Sequence, residues 1–126
     1  MIQTGTFLNV IDNSGAKSVM CIKLINSGYR QRYGSIGSII LITVKSTRFS
    51  KNSRIKKGEL HKALILRTKV STTFTSCNYK KYFENSVVLL NKQNKLLGTR
   101  VFGMIPRQLK YSKFLKLTTL SSGLSF

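Results

Sequence analysis

Thr6-Phe7-Leu8-Asn9-Val10-Ile11, then Asp12-Asn13-Ser14-Gly15, then Lys17 to Ile25 (KSVMCIKLI): a short aliphatic run, a turn and a second aliphatic run decide how this chain is read. Asp and Asn side chains bond back to following amides and Gly accepts positive φ, so residues 12–15 form a turn between two strands. The pattern repeats outward. Asn26-Ser27-Gly28 breaks the second strand, a third runs from Ser38 to Lys45, a fourth from Leu60 to Val70, and a fifth covers Val87 to Leu90. Five short strands with turn signals between them predict an all-β fold: a small closed five-stranded barrel, closed so that no sheet edge is left free. Ser71 to Asn78 reads as a Ser/Thr-rich loop and Asn91 to Lys95 as a polar turn. Ser46 to Lys57 reads as a protruding basic β-ribbon or loop. Pro106, suited to a first helical turn, opens a short C-terminal helix to about Lys113, and Phe114 to Leu120 is expected to be extended again.

With 126 residues and 14.2 kDa, the chain is sized for one core, read as a single domain over 1–126 with the barrel in about 1–105 and a helical and extended part in about 106–126. Alternation assigns Val19, Cys21, Ile40, Ile42, Leu64, Leu66, Val88 and Leu90 to that core. Phe7, Phe102 and Phe114 are read as packing residues.

Charge is the first statement about function. Twenty-two Lys and Arg against three acids (Asp12, Glu59, Glu84) leave +19, an excess that a folded surface carries when phosphates neutralise it. Hydrophobic residues at 41% and a single Pro argue against a disordered basic tail. Tyr29, Arg30, Arg32 and Tyr33 interleave rings that stack on bases with guanidinium groups that reach phosphate. Arg48, Lys51, Arg54, Lys56 and Lys57 follow in a stretch with no acid before Glu59. Both segments are read as nucleic-acid contacts, against the plainer readings of a barrel-end cap and a solvated charge run.

Other chemistry finds little to work with. Three scattered acids do not supply a carboxylate pair or a metal-nuclease cluster, and the one His, His61, has no triad context. Cys21 and Cys77 lack metal-ligand spacing and are read as buried small hydrophobes. Gly34-Ser35-Ile36-Gly37 lacks the Lys and Ser/Thr of a phosphate loop. No catalytic residue, metal or cofactor is expected. Apolar runs of four residues (Ile39–Ile42, Val87–Leu90) are far short of a membrane span, and the N-terminus resembles neither a secretory signal nor an import sequence.

Several motifs then carry a resemblance. Met1-Ile2-Gln3, Leu8-Asn9-Val10, Asp12-Asn13-Ser14-Gly15-Ala16, Met20-Cys21-Ile22-Lys23, Arg67-Thr68-Lys69, Asn85 to Leu89, Gly98-Thr99-Arg100-Val101-Phe102-Gly103, and Arg107, Leu109, Lys113 and Phe114 closely resemble large-subunit ribosomal protein fourteen of the bacterial and organellar type. They lie in the family's order from Met1 to about Leu120. The resemblance implies a five-stranded barrel on large-subunit ribosomal RNA at the subunit interface, with no catalytic role. It also implies neighbouring ribosomal proteins as partners, bridges to small-subunit RNA, and a face for a ribosome-silencing factor. With the charge, it extends the RNA-facing set to Asn13, Ser14, Lys17, Lys23, Lys45, Arg67, Lys69, Arg107, Lys110 and Lys113. Thr99, Arg100 and Lys116 align with the intersubunit and silencing-factor face.

The chain departs from the family at Cys77, where a Gly is usual, at Gln108 and Ser112 in place of acids, and at Pro106 and Ser121 to Phe126. Lys outnumbers Arg 15 to 7 and Ala occurs twice, a bias expected of an AT-rich genome. A mitochondrial ribosome with the protein encoded inside the organelle is the favoured compartment, ahead of a plastid or a bacterial cytoplasm. The competing function is a free single-strand nucleic-acid-binding barrel module. A cationic membrane-surface protein is disfavoured, since no basic amphipathic helix of adequate length is visible.

Overall fold

β1 (Phe7–Val10) and β2 (Ala16–Ile25) pair antiparallel across the 12–15 turn, with Leu8 opposite Val19 and Asn9 opposite Ser18. The protein is described as a computed structural model covering residues 1–25, 32–48, 55–75, 78–111 and 114–125. β3 (Ile39–Thr47), β4 (Leu60–Arg67) and β7 (Ser86–Leu90) continue the sheet antiparallel, and β7 returns to β1 in parallel to close a five-stranded barrel. Inward-facing Leu8, Val10, Val19, Cys21, Ile40, Ile42, Val44, Ala63, Ile65, Val87 and Leu89 fill it. Closure leaves none of the five strands with an unpaired edge, which is how a short-stranded sheet avoids templating further pairing.

The expected core residues are all buried, but in two places. Val19, Cys21, Ile40 and Ile42 lie inside the barrel, whereas Leu64, Leu66, Val88 and Leu90 point outward into a second apolar cluster with Ile11, Val101, Ile105, Leu109 and Leu117. β4 and β7 are therefore buried on both faces. Their consecutive apolar residues, Ala63 to Leu66 and Val87 to Leu90, are what two-sided burial requires.

The outer cluster is roofed by the C-terminal part. β8 (Val101–Pro106) pairs in parallel with β9 (Ser121–Ser125) outside the barrel, whose last strand is β7, ending at Leu90. The helix is also displaced from its expected place. Pro106 ends β8, pairing at the last register position with Ser125, where a missing N–H costs least. A 3-10 turn follows at Arg107–Tyr111, and α1 occupies Leu115–Leu120, a stretch expected to be extended. Local sequence favours that helix only weakly: its six residues include two Thr and its N-cap Phe114 makes no side-chain capping bond. Burial of Leu117 in the outer cluster holds it.

The expected loop at Ser71 to Asn78 contains a small ribbon, β5 (Thr72–Thr75) with β6 (Asn78–Lys80). Cys21 is buried as expected; Cys77 lies outside the described residues. Half of the expected basic ribbon, residues 49–54, lies outside them too. Phe114 packs against the outer cluster, but Phe7 and Phe102 are exposed at 62% and 43%, contrary to a packing role.

Candidate nucleic-acid interface

All three carboxylates are engaged within the protein. Asp12 is fully buried; its Oδ2 accepts from the Leu89 N–H at 2.9 Å, and its Oδ1 from the Ser14 N–H at 2.9 Å and from the Ser14 hydroxyl. Glu84 accepts from Arg67 Nη1 at 2.8 Å, Asn9 Nδ2 at 3.1 Å and the Ser86 hydroxyl at 3.3 Å. Glu59 accepts the Lys56 N–H at 3.1 Å and lies 3.3 Å from His61 Nε2. The Lys56 amide, with His61 second, holds the Glu59 carboxyl below its ordinary pKa. With the acids turned to structure, at least nineteen cationic groups have no carboxylate to pair with, since 22 − 3 = 19.

Where those cations stand is decided partly by strand irregularities. Ala16 pairs with Thr47 and Ser18 with Ser46, which makes Lys17 the extra residue on β2; the next shift, to Val19 opposite Val44, makes Lys45 the extra residue on β3. A bulge bends the strand and re-aims its side chain, and both lysines are exposed. A third shift makes Ile22 the extra residue just before exposed Lys23. Lys17 and Lys45 thus come together on adjacent strands beside Arg48.

Arg48 itself is partly committed to the protein. Its Nη2 donates to the Val10 carbonyl at 3.1 Å, its backbone N–H to the Gly15 carbonyl at 2.8 Å, and its guanidinium lies 5.9 Å from the Phe102 ring centroid. Arg32, Lys56, Lys57, Lys69, Arg107 and Lys110 are exposed. Tyr33 is 45% exposed, while Tyr29, Arg30, Lys51, Arg54 and Lys113 lie outside the described residues.

Three expected contacts have hydrogen-bonding groups already engaged within the protein. Arg67 donates to Glu84, to the Met104 carbonyl (Nε, 2.8 Å) and to the Phe102 carbonyl (Nη2, 2.7 Å), so it clamps β8 to the barrel instead of facing solvent with a free fork. Gly103 is needed for this: it has φ of 80°, and a Cβ there would lie 2.2 Å from Arg67 Nη2. Ser14 is held by Asp12. Asn13 accepts from the Thr99 N–H at 2.8 Å and the Arg100 N–H at 3.2 Å, and donates to the Thr99 hydroxyl at 2.8 Å. Asn13 therefore builds the loop that carries Thr99 and Arg100. Asp12→Asn is expected to destabilise the fold by about 1–3 kcal/mol in chemical denaturation, because the amide NH2 would face an N–H or hydroxyl donor and leave it unsatisfied.

Thr99 and Arg100 are both exposed on that loop, and Gly98 sets it down on the turn: a Cβ at Gly98 would sit 2.8 Å from Asp12 Cβ and 2.9 Å from Asn13 Oδ1. Val101 pairs with Ser121, so Arg100 lies beside the C-terminal end of α1, whereas exposed Lys116 stands in the first turn of that helix, at its other end. Lys80 is among the cations that the sequence reading did not single out. Lys80 donates to the Ser125 carbonyl at 2.8 Å and reaches Gln108 Oε1 at 3.4 Å, tying down β9. Partial burial, then the charge of Arg107, lowers its pKa from the ordinary lysine value. No sequence pattern marks that role, which depends on where the chain's end docks.

Among the described residues no group of three or more His, Cys, Asp or Glu could hold a metal ion, and no helix is long and apolar enough to cross a membrane. A model of the family described as ribosomal protein L14p/L23e matches residues 1–124. The chain is similar to the large ribosomal subunit protein uL14 of Carsonella ruddii (strain PV), at 46% identity over 122 residues that cover 97% of this chain and 98% of the relative.

Proposed function

Because this chain belongs to the ribosomal protein L14p/L23e family, we propose that it lies on ribosomal RNA at the large-subunit face that meets the small subunit. It is a structural protein of the large ribosomal subunit, not a catalyst. The observation that carries the RNA reading is the division of charge: every carboxylate is engaged in a turn or clamp, while Lys17 and Lys45 are extruded at bulges and the other exposed lysines face solvent. Such a surface gains by exchanging small counterions for a phosphate backbone. Lys17, Lys23, Lys45, Lys56, Lys57, Lys69, Arg107 and Lys110 make the RNA face in this reading, with Arg32 and Tyr33 at one margin. Arg67, Asn13 and Ser14 support that face from within.

The Thr99–Arg100 loop and Lys116 form the second face, toward small-subunit RNA or a silencing factor. Arg100 offers a planar fork and Lys116 a mobile point charge, a pair that suits phosphate and carboxylate in turn. Neighbouring large-subunit proteins complete the partners. The Lys-rich, Ala-poor composition supports an AT-rich genome, and the mitochondrial ribosome is the compartment proposed on that ground; a relative from Carsonella ruddii suits a bacterial ribosome equally.

One gradient experiment tests both faces. Lys17→Glu with Lys45→Glu is expected to lower incorporation into large subunits at least several-fold with the fold intact. Arg100→Glu with Lys116→Glu is expected to leave incorporation nearly unchanged and to weaken subunit joining or factor binding. Normal incorporation of the first variant rejects the RNA face; normal joining and factor binding by the second rejects the interface. A wild-type chain found only apart from large subunits would instead point to a free single-strand-binding module.

A further inference from the structure

Phe83 is the most exposed large apolar residue described, at 101%, yet the residues on both sides of it are held. Tyr82 before it donates its N–H to the Thr68 carbonyl at 3.1 Å, and its hydroxyl lies 2.8 Å from Ser125 Oγ. Glu84 after it is fixed by Arg67, Asn9 and Ser86. A ring carried on an anchored turn loses little further freedom when something stacks on it, which is the condition for a preorganised platform.

Two clefts flank this ring, and their linings differ. On one side lie Arg67, Tyr82, Met104 and Ser125, whose polar side-chain groups are already bonded within the protein. The other cleft, of about 380 Å³, is lined by Phe7, Asn9, Ser18, Lys69, Phe83 and Asn85, among others. Here polar capacity is left over. Asn9 uses its Nδ2 on Glu84 and Asn85 its Oδ1 on the Lys69 N–H, so an amide oxygen and an amide NH2 have no partner among the described residues. The Lys69 side chain is exposed in the same wall, and Phe7 adds a second ring, 62% exposed. Glu84 does not spoil the site for an anion, since its oxygens are engaged and its charge is paired with Arg67.

An apolar peptide side chain would leave the amides and the ammonium unsatisfied. A nucleotide uses all three: a π-face for the ring, a mixed donor and acceptor edge for the amides, and a phosphate for the lysine. We propose that the cleft between Phe7 and Phe83 holds one unstacked RNA nucleotide, its base on Phe83, its edge on Asn9 and Asn85, and its phosphate at Lys69. The assignment rests on the RNA reading above and adds a place where a base, as opposed to the backbone alone, is gripped.

The test uses the whole chain and single-stranded RNA carrying one 5-iodouridine, which photocrosslinks to an aromatic ring stacked on it. The crosslink is expected at Phe83. Phe83→Ala should remove it and weaken binding by about 5- to 150-fold, the range of one base–aromatic stack, without changing the salt slope. Lys69→Ala should keep the crosslink at saturation and reduce the slope by about 0.7. Since the Phe83 ring is fully exposed, its removal should leave the melting temperature unchanged. A crosslink that maps elsewhere, together with less than twofold weakening by Phe83→Ala, overturns the site. If Lys17→Glu with Lys45→Glu still abolishes binding in that case, the general RNA face stands alone; if the wild type binds no RNA, both readings fall. A crosslink from this position to protein, found in intact large subunits, also overturns it.

Discussion

Raising monovalent salt from about 50 to about 200 mM is expected to weaken the complex of the isolated chain with large-subunit RNA by about 10³- to 10⁵-fold, as for a protein making about 6–10 phosphate contacts. The chain has the groups for that many contacts. Its acids cannot neutralise the lysines from within, because Asp12 is buried under Leu89, Glu84 is paired with Arg67, and Glu59 faces Lys56 and His61. Each neutralised phosphate should add about −0.7 to −0.9 to the slope of log K against log salt. A titration series across this range reads the slope directly. A flat series would mean that shape or apolar contacts, not charge, hold the RNA. A steep slope shared by arbitrary RNA would place specificity in the rest of the particle.

Leu66→Ala is expected to lower stability by about 2–5 kcal/mol, the cost of emptying a fully buried leucine site that relaxes only in part. The residue lies on the outward face of β4, where simple barrel geometry would expose it. Here it is covered by the cluster that includes Leu109 and Leu117, so the loss should be felt in the C-terminal roof as well as in the barrel. Denaturation followed by far-ultraviolet circular dichroism measures the total. Hydrogen exchange at α1 should show whether the roof loosens first. A loss below about 0.5 kcal/mol, typical of a surface site, would mean that the roof contributes nothing to holding β4.

The same two strands show what could be read in advance and what could not. Runs such as Ala63-Leu64-Ile65-Leu66 announce burial, but period alone cannot tell one buried face from two. The answer depends on what lies outside the barrel, and that is the last quarter of the chain. There the local signals misled: Pro106, a good first helical residue, closes β8 because Ser125 pairs beside it, and the α-helix starts at Leu115, nine residues beyond the expected start, where Leu117 finds the outer cluster. The exposed rings of Phe7 and Phe102 escaped for a related reason, since hydrophobicity predicts burial only where a partner surface exists.

By itself the sequence determined that this protein is a small barrel with a large cationic excess, because alternating apolar runs between Asn, Asp, Ser and Gly turns leave few other ways to bury the aliphatics, and 22 cations face only three acids, the charge balance on which the proposed RNA partner rests. Motif order over the whole length also pointed to the family. Only the tertiary structure decided which polar residues are available. Asn13 and Arg67 look like ready contacts in the chain, yet their donors and acceptors meet partners 17 to 87 residues away that no local pattern reveals. Hydrogen-bonding capacity is a property of a residue, but whether any of it is left for RNA is a property of the fold.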